Sequence, residues 1–235
     1  MKKSTTKKAA KAAPLDFLSI ASHQLRAPLT LMKGYLSMIL EGEFGAIKDK
    51  KLKAAIEAVK QSNERLAHLV ENLLEMARLE EGAFTLFREE ADLAAVILSV
   101  ADELRSKAKA KGLRLEISLP KEKIVVSIDR LMMRQLFLNL IDNAIKYTAK
   151  GGVMIALERR GRKLVASVSD TGPGLLQKGE LKRLFQKFSR PNDDPSGQSG
   201  FGLGLYICRL IVEAHGGKIK AELPKSGGLK VSFAL

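Results

Sequence analysis

The chain has 235 residues, of which 46% are hydrophobic, and it carries a formal net charge of +14. This length allows one large domain or two small ones, and no apolar run approaches the roughly 18 residues of a membrane-spanning helix. The single cysteine, Cys208, excludes an internal disulfide and fits a reducing, cytoplasmic location.

Residues 1–13 form a basic tail that contains five lysines and no acidic residue. This composition predicts a disordered, solubilising arm. Nucleic acid and anionic lipid are the less favoured alternative partners of the tail. The rest of the chain is also basic, which favours a nucleotide ligand and an acidic protein partner through electrostatic steering.

Two long helices are predicted between residues 14 and 82. Each has apolar residues on the 4-3 spacing that is typical of coiled-coil packing: Leu18, Leu25, Met32 and Ile39 with Ser22, Leu29 and Leu36 in the first, and Leu52, Val59, Leu66 and Leu73 with Ile56, Asn63, Val70 and Ala77 in the second. Gly42 and Gly45 break the chain between them, and Gly82 ends the second helix, so we expect an antiparallel hairpin. Because two helices cannot bury a whole seam, we expect a homodimer that forms a four-helix bundle. Packing of the hairpin against the second domain is the alternative.

The remaining residues, 83–235, show both helical and strand patterns. Helices are predicted near 92–111, 129–149 and 203–215, and alternating apolar residues predict strands near 113–119, 124–128, 153–157, 164–168 and 229–235. One-sided alternation predicts a sheet with one face on helices and the other in water, hence an α+β two-layer sandwich. Residues 189–199 are rich in Pro, Asp, Ser and Gly and are predicted to form a mobile loop.

His23 lies on the first predicted helix. At about 100° per residue it falls roughly 120° from the centre of the apolar seam, so we expect its imidazole to face solvent. Pro28 cannot donate a backbone hydrogen bond to the Gln24 carbonyl, so the helix should bend within a turn of His23. A neutral imidazole offers a nucleophilic ring nitrogen at physiological pH. His68 is interpreted as an exposed histidine without a role.

A polar stripe of Asn139, Asn143, Lys146 and Lys150 runs along the predicted helix near 129–149. Their spacing gives them one shared face. A merely solvated face would favour Lys and Glu, and Asn is a poor helix former, so its double appearance favours a binding role. Asn oxygens can bind Mg²⁺, directly or through water, and Lys146 can neutralise phosphate.

A turn follows the strand that Asp170 ends, and it contains Gly172 and Gly174. The Asp170 carboxylate can accept a hydrogen bond from an adenine amino group, while the glycines let the backbone approach the base. An ordinary Asp-x-Gly turn is the alternative interpretation.

A glycine loop with Gly200, Gly202 and Gly204 leads directly into the last predicted helix. Bare backbone amides at a helix N-terminus suit a triphosphate. Upstream of this loop, Phe185 and Phe188 are expected to anchor it on the domain surface, and Lys187 and Arg190 can reach phosphate.

Five motifs follow one another along the chain: SHQLRAPLT at 22–30, NLIDNAIKY at 139–147, DTGPG at 170–174, FQKF at 185–188 and GFGLGL at 200–205. Their order and content resemble the dimeric sensor histidine kinases of two-component signalling, from about Leu15 to Leu235. The resemblance implies a dimerisation and phosphotransfer hairpin at 14–82, joined to an ATP-binding domain at 83–235 with the fold shared by type II topoisomerases and heat-shock chaperones.

The resemblance also implies what the chain does. It would phosphorylate His23 from Mg-ATP, with Gln24 beside it, and pass the phosphoryl group to an aspartate on the receiver domain of a response regulator. Asn143, with Asn139 beside it, would bind Mg²⁺. The ATP site would comprise Asn139, Asn143, Lys146, Tyr147, Asp170, Gly172, Gly174, Lys187, Arg190, Gly200, Gly202, Gly204 and Leu205. A separate sensor domain or protein is left open.

Three positions qualify this interpretation. Gln24 stands where the family usually has Glu or Asp, so transfer is expected to be slower, and Ala27 stands where it usually has Thr or Asn, so phosphatase activity is expected to be weak or absent. Asn139 stands where hydrolytic relatives have a Glu that activates water, which disfavours a rival ATPase or serine kinase. The remaining alternative is a degenerate kinase that serves as a dimeric ATP-binding scaffold.

Overall fold

The computed structural model describes residues 13–80, 85–161, 163–174, 178–189 and 201–235. The chain divides into two compact units, Met1–Ala83 and Phe84–Leu235. The predictions for residues 1–12, Gly82, Arg190 and Gly200 lie outside the described residues. Among the helices that are described, none combines the length and the apolar character needed to span a bilayer.

The first unit is a hairpin of two long helices, α1 (Ala13–Glu41) and α2 (Lys50–Glu80). The connection turns at Gly42 and Gly45, whose φ angles of 89° and 105° suit glycine far better than other residues. Asp49 starts α2, because its Oδ1 accepts hydrogen bonds from the backbone N–H groups of Lys51 and Leu52 at 2.7 and 3.3 Å. The predicted hairpin is therefore confirmed.

Only part of the predicted seam is buried within one chain. Leu29 and Asn63 are 5% and 7% exposed, and the Asn63 side-chain amide donates to the Leu29 carbonyl at 2.9 Å. Other seam residues stay between 46% and 55% exposed: Leu25, Met32, Leu52, Val59 and Leu66. The two helices thus leave an apolar face of the hairpin uncovered.

The second unit contains, within its described residues, three α-helices, seven strands and a 3₁₀ turn at Lys178–Lys182. The helices are α3 (Leu93–Ala110), α4 (Arg130–Tyr147) and α5 (Gly204–Ala214). The strands are β1 (Glu89–Asp92), β2 (Arg114–Ser118), β3 (Val125–Ile128), β4 (Gly152–Arg160), β5 (Lys163–Asp170), β6 (Lys218–Glu222) and β7 (Lys230–Ala234).

Five of the strands form a mixed sheet in the order β2-β4-β5-β7-β6, in which β2 runs parallel to β4 and the other pairs are antiparallel. Along β4, Val153, Ile155 and Leu157 are buried, whereas Met154 is exposed. The Phe137 ring of α4 packs on the Phe233 ring of β7 with centroids 5.7 Å apart. The helices therefore cover one face of the sheet, and the predicted two-layer sandwich is confirmed.

The strand prediction was incomplete in two respects. The strand predicted near 124–128 pairs with β1 in a separate two-stranded sheet and does not join the main sheet. Neither β1 nor β6 was predicted, because β1 (EEAD) has no apolar alternation and β6 (KIKAE) carries only two apolar residues.

A buried polar network ties the N-terminus of α4 to the C-terminus of α5. His215 Nε2 accepts a hydrogen bond from the Asp129 backbone N–H at 3.0 Å, and His215 Nδ1 lies 2.7 Å from the Ile211 carbonyl. Asp129 Oδ1 caps α4 through the Met132 N–H, and its Oδ2 accepts from the Phe87 N–H at 3.1 Å. The two helices therefore run antiparallel, and the start of α5 lies beside the middle of α4.

Candidate functional site

His23 lies within α1, where its backbone is helical. Its side chain is not among the described ones, so the solvent-facing imidazole stays a prediction. Gln24 and Ala27 are exposed, and so is Thr30, which shares the helix face of His23 because it lies seven residues further on. Pro28 lies inside α1 and removes one backbone donor within two turns of His23.

A groove of about 400 Å³ runs between α1 and α2 beside this segment. Arg26, Thr30 and Lys33 line it from α1, and Asn63, Glu64, His68 and Glu71 are among its lining residues from α2. The groove therefore carries both signs of charge beside apolar residues such as Leu29 and Leu74. Asn63 Oδ1 is buried there without a hydrogen-bond partner among the described residues.

In the second unit, Asn139 and Asn143 lie one turn apart on α4 and face the first residue of α5. A Cβ added at Gly204 would lie 3.6 Å from Asn143 Nδ2 and 3.9 Å from Asn139 Cγ. The Asn139 amide nitrogen is buried and has no hydrogen-bond partner in the described part of the chain. A buried donor left unpaired costs about 1–3 kcal/mol, which a ligand oxygen would recover.

The start of α5 offers further donors to an anion. No side-chain hydrogen bond caps α5 at its N-terminus, and the first backbone N–H groups of a helix suit an anion. No group of three or more His, Cys, Asp or Glu side chains within the described residues could hold a metal ion. The donor set of amides therefore suits phosphate, with any Mg²⁺ held by asparagine oxygens and by the phosphates themselves.

Lys146 and Tyr147 end α4 next to this pair. The Lys146 ammonium lies 3.4 Å from the Tyr147 hydroxyl and 4.8 Å from the centroid of its ring. The helix ends at Tyr147 because Thr148 turns into extended backbone and its hydroxyl donates to the Ala144 carbonyl at 2.7 Å. The prediction that Lys150 continues the helical stripe was therefore wrong.

Asp170 lies at the end of β5 and holds the adjoining turn through its carboxylate. Its Oδ1 accepts hydrogen bonds from the N–H groups of Gly172 at 2.8 Å and Leu229 at 3.3 Å. Burial raises the pKa of this carboxyl, and the hydrogen bonds from Gly172 and Leu229 lower it in part. Within the described residues Oδ2 accepts no hydrogen bond, so it can accept one from a ligand.

The glycines around Asp170 are required by close backbone contacts. A Cβ at Gly172 would lie 2.9 Å from the Tyr147 carbonyl oxygen, and one at Gly174 would lie 2.9 Å from the Gly228 carbonyl oxygen. Gly228, with φ of 79°, approaches so closely that a Cβ would lie 1.8 Å from the Asp170 carbonyl oxygen. Sequence reasoning missed Gly228 and Leu229, and only the Gly-Gly pair at 227–228 hinted at a tight turn.

Gly202 packs against the chain that follows the FQKF motif. Its φ is 68°, and a Cβ there would lie 2.6 Å from the Ser189 carbonyl oxygen. Phe185 is half-buried, but Phe188 is 58% exposed with φ of 57°, so the prediction that both phenylalanines anchor the loop was wrong for Phe188. The structure therefore shows Gly202 in a packing role.

The α5 helix also positions two cations. The Lys187 ammonium lies 5.5 Å from the Tyr206 ring centroid, and the Arg209 guanidinium carbon lies 4.9 Å from it. Tyr206 is two residues beyond Gly204, so Lys187 is held near the start of α5. Leu205 is half-buried in the same first turn.

Two families match this chain, one on each unit. Residues 15–82 match the His Kinase A (phospho-acceptor) domain, and residues 128–235 match the histidine kinase-, DNA gyrase B- and HSP90-like ATPases. The chain belongs to the sensor histidine kinase family. His23 falls within the first match, and every candidate nucleotide-site residue of this histidine kinase falls within the second.

Relatives and solved structures agree with this assignment. The chain is 36% identical to the sensor protein KdpD of Clostridium acetobutylicum over 93% of its own length and 24% of that protein. It is 33% identical to the adaptive-response sensory kinase SasA of a Synechococcus species over 94% of its length and 60% of that protein. A crystal structure of full-length ShkA in complex with AMPPNP matches 93% of the chain, and 45% of ShkA, with a TM-score of 0.75 at 27% identity. The chain thus spans only part of the length of the relatives it matches.

Proposed function

We propose that this chain is the autophosphorylating core of a two-component histidine kinase, which transfers the γ-phosphoryl group of ATP to His23 and then to an aspartate of a response regulator. The observation that carries the proposal is the pairing of Asn139 and Asn143 with the uncapped start of α5. This arrangement offers donors to phosphate and, at Asn139, an amide that cannot serve as a base for water. ATP is therefore kept for transfer.

In the first step, a ring nitrogen of His23 forms a bond to the γ-phosphorus while the bond from that phosphorus to the β,γ-bridging oxygen breaks and ADP leaves. Gln24 can orient the imidazole but cannot accept its proton, which passes to solvent. Mg²⁺ bound by Asn143 and Asn139 would neutralise charge on the phosphate oxygens.

The described contacts support the binding roles that this proposal assigns. Asp170 Oδ2 accepts from the adenine amino group, and Lys146 pairs with phosphate. Tyr147 packs beside the base. The amides at Gly204 and Leu205 receive a phosphate, and Lys187 approaches it from the neighbouring segment.

A homodimer explains the uncovered apolar seam of the hairpin, since a second copy would bury Leu25, Met32 and Leu66. The groove beside α1 offers charges of both signs to a receiver domain. A cytoplasmic location fits the reduced Cys208. A sensory input from another segment or protein completes the proposal.

The test is autophosphorylation of the full chain with labelled ATP and Mg²⁺. We expect label that is lost in acid and kept in alkali, as a phosphohistidine requires, and that disappears in His23→Gln. The matched control is His68→Gln, because His68 is a histidine of the same hairpin with a 78% exposed side chain. ATP binding without any label would favour the scaffold alternative, and alkali-labile, acid-stable label would favour a serine kinase.

A further inference from the structure

Lys111 follows the end of α3, outside all five sequence motifs, yet it reaches the last turn of α4. Its ammonium donates to the carbonyl oxygens of Ile145 at 2.9 Å and of Lys146 at 2.8 Å. A cation that bonds the final carbonyls of a helix also complements the negative end of the helix dipole. The charge and both hydrogen bonds therefore act on the segment that ends in Lys146 and Tyr147.

Two residues outside α4 donate to its last carbonyl groups, Thr148 and Lys111. The Ala144 carbonyl accepts from the backbone N–H and the hydroxyl of Thr148, at 3.2 and 2.7 Å. Lys111 donates to the next two carbonyls, those of Ile145 and Lys146. Without Lys111 both carbonyls lose this donor, and helix ends that lose such partners fray more readily.

The backbone of Lys111 is itself held firmly. Its N–H donates to the Ala108 carbonyl at 3.1 Å, and the N–H of the buried Leu113 donates to the same carbonyl at 3.0 Å. The backbone N–H of the next residue, Arg114, donates a hydrogen bond to the Gly151 carbonyl at 3.0 Å, just before β4. The backbone of Lys111 is therefore fixed, so its side chain can hold the end of α4 in a defined position.

The end of α4 has little freedom to adjust on its other side. A Cβ at Gly172 would already lie 2.9 Å from the Tyr147 carbonyl oxygen, so the Asp170 turn packs directly on the residue that follows Lys146. A displacement of the last turn of α4 would move Lys146, Tyr147 and this turn relative to one another. These groups form the phosphate and adenine sides of the candidate site.

We propose that Lys111 is a positioning residue for nucleotide binding, which holds Lys146 and Tyr147 in place by capping α4. The expected effect on ATP binding rests on the proposed function, whereas the capping of α4 rests on the hydrogen bonds of Lys111 alone. In this role Lys111 acts through the α4 carbonyls and not through contact with the nucleotide. Its loss should raise the KM for ATP and leave the maximal autophosphorylation rate nearly unchanged.

The experiment compares Lys111→Met, Lys111→Arg and Lys107→Met in the full chain. Lys107 is the matched control because its ammonium joins the same two helices through an ion pair with Asp142 but touches no carbonyl of the last turn. We expect Lys111→Met to weaken ATP binding, measured by calorimetry, about tenfold. Lys111→Arg should stay within about threefold of the unmodified chain, since a guanidinium can donate to both carbonyls, and Lys107→Met should bind normally.

Amide hydrogen exchange of the nucleotide-free chain provides a second readout. Exchange at residues 146–150 should be faster in Lys111→Met and unchanged in Lys107→Met, at equal melting temperature. Normal exchange and normal ATP affinity in Lys111→Met would overturn the inference, as would an equal loss in the Lys107 control. If the unmodified chain binds no ATP, the proposed function fails, while the exchange result still decides whether Lys111 holds α4.

Discussion

Replacing Asp170 by Asn should separate nucleotide binding from stability. In Asp170→Asn the side-chain oxygen must take the place of Oδ1, because the N–H groups of Gly172 and Leu229 need an acceptor there. The new NH₂ group then occupies the place of Oδ2 and faces the ligand. The side-chain NH₂ group and the adenine amino group would then face each other as two donors, and no hydrogen bond could form between them.

The magnitude follows from the lost hydrogen bond. A hydrogen bond to a charged acceptor contributes about 1.5–3 kcal/mol, so the dissociation constant for ATP should rise roughly 10- to 150-fold. The nucleotide-free fold should not suffer in the same way. Burial raises the pKa of Asp170, which means that the charged carboxylate is less favourable in the folded than in the unfolded chain, and Asn removes that cost. We therefore expect an equal or higher melting temperature.

Calorimetry with ATP and thermal unfolding without it give the two values. Asp102→Asn is the control, because Asp102 is an exposed carboxylate of α3 that pairs only with Arg105 among the described side chains. ATP affinity within threefold of the unmodified chain would refute the adenine role of Asp170. A large drop in melting temperature would refute the claim that the carboxylate serves the ligand more than the fold.

The raised pKa also predicts a pH dependence. Adenosine has no phosphate to titrate and its adenine ring stays neutral down to pH 5, so its affinity between pH 7 and pH 5 reports on the protein. Because the folded pKa of Asp170 lies above its ordinary value, the carboxylate should be lost as acceptor at a higher pH than an exposed aspartate would be. Adenosine affinity should fall over that range in the unmodified chain but not in Asp170→Asn.

Three further predictions address the hairpin and the glycine loop. Burial and the neighbouring Glu71 carboxylate raise the pKa of Glu75 to about 7. The contribution of this group to stability is therefore fully present below its unfolded pKa and is lost as the pH rises through 7. Glu75→Gln should raise the melting temperature of the hairpin by about 5 °C at pH 8 and little at pH 5. Gly202→Ala should lower the melting temperature, since its Cβ would lie 2.6 Å from a backbone oxygen. In Gly204→Ala the Cβ would meet nothing closer than 3.6 Å, so this variant should weaken ATP binding without lowering the melting temperature. Gln24→Glu should increase the autophosphorylation rate, by about 10²-fold or less, because a carboxylate can accept the imidazole proton.

Each of these has a result that contradicts it. A melting temperature of Glu75→Gln that rises equally at both pH values would mean that charge is not the cause. Equal loss of melting temperature in both glycine variants would remove the distinction between packing and ligand contact. A slower Gln24→Glu enzyme would mean that the amide is the better orienting group beside His23.

Patterns that repeat within one element were readable from the sequence. The 4-3 spacing of residues such as Leu29 and Asn63 predicted the hairpin, and the one-turn spacing of Asn139 and Asn143 predicted a shared face that the structure confirms by its contacts with Gly204. Which face of a helix such residues share depends only on their spacing along the chain. Local reasoning therefore suffices for them.

Features that depend on remote partners were not readable. Gly228 must be glycine because of the Asp170 carbonyl, and Leu229 bonds to a side chain 59 residues away. Strand β1 exists because it pairs with β3, and its own residues carry no strand signal. The role of the exposed Lys111 depends on two carbonyls that lie 34 and 35 residues further along the chain.

The position of β2 at the edge of the main sheet has a practical consequence for dissecting the protein into pieces. The family match on the second unit begins at residue 128, but a fragment cut there would lack β2, and β4 would become an unprotected sheet edge prone to aggregation. It would also lack α3, against which α4 packs. A fragment that starts at residue 84 keeps the Phe87 bond to Asp129 and the complete edge. Because β2 protects β4, we expect the longer fragment to be expressed in soluble form and the shorter one to aggregate.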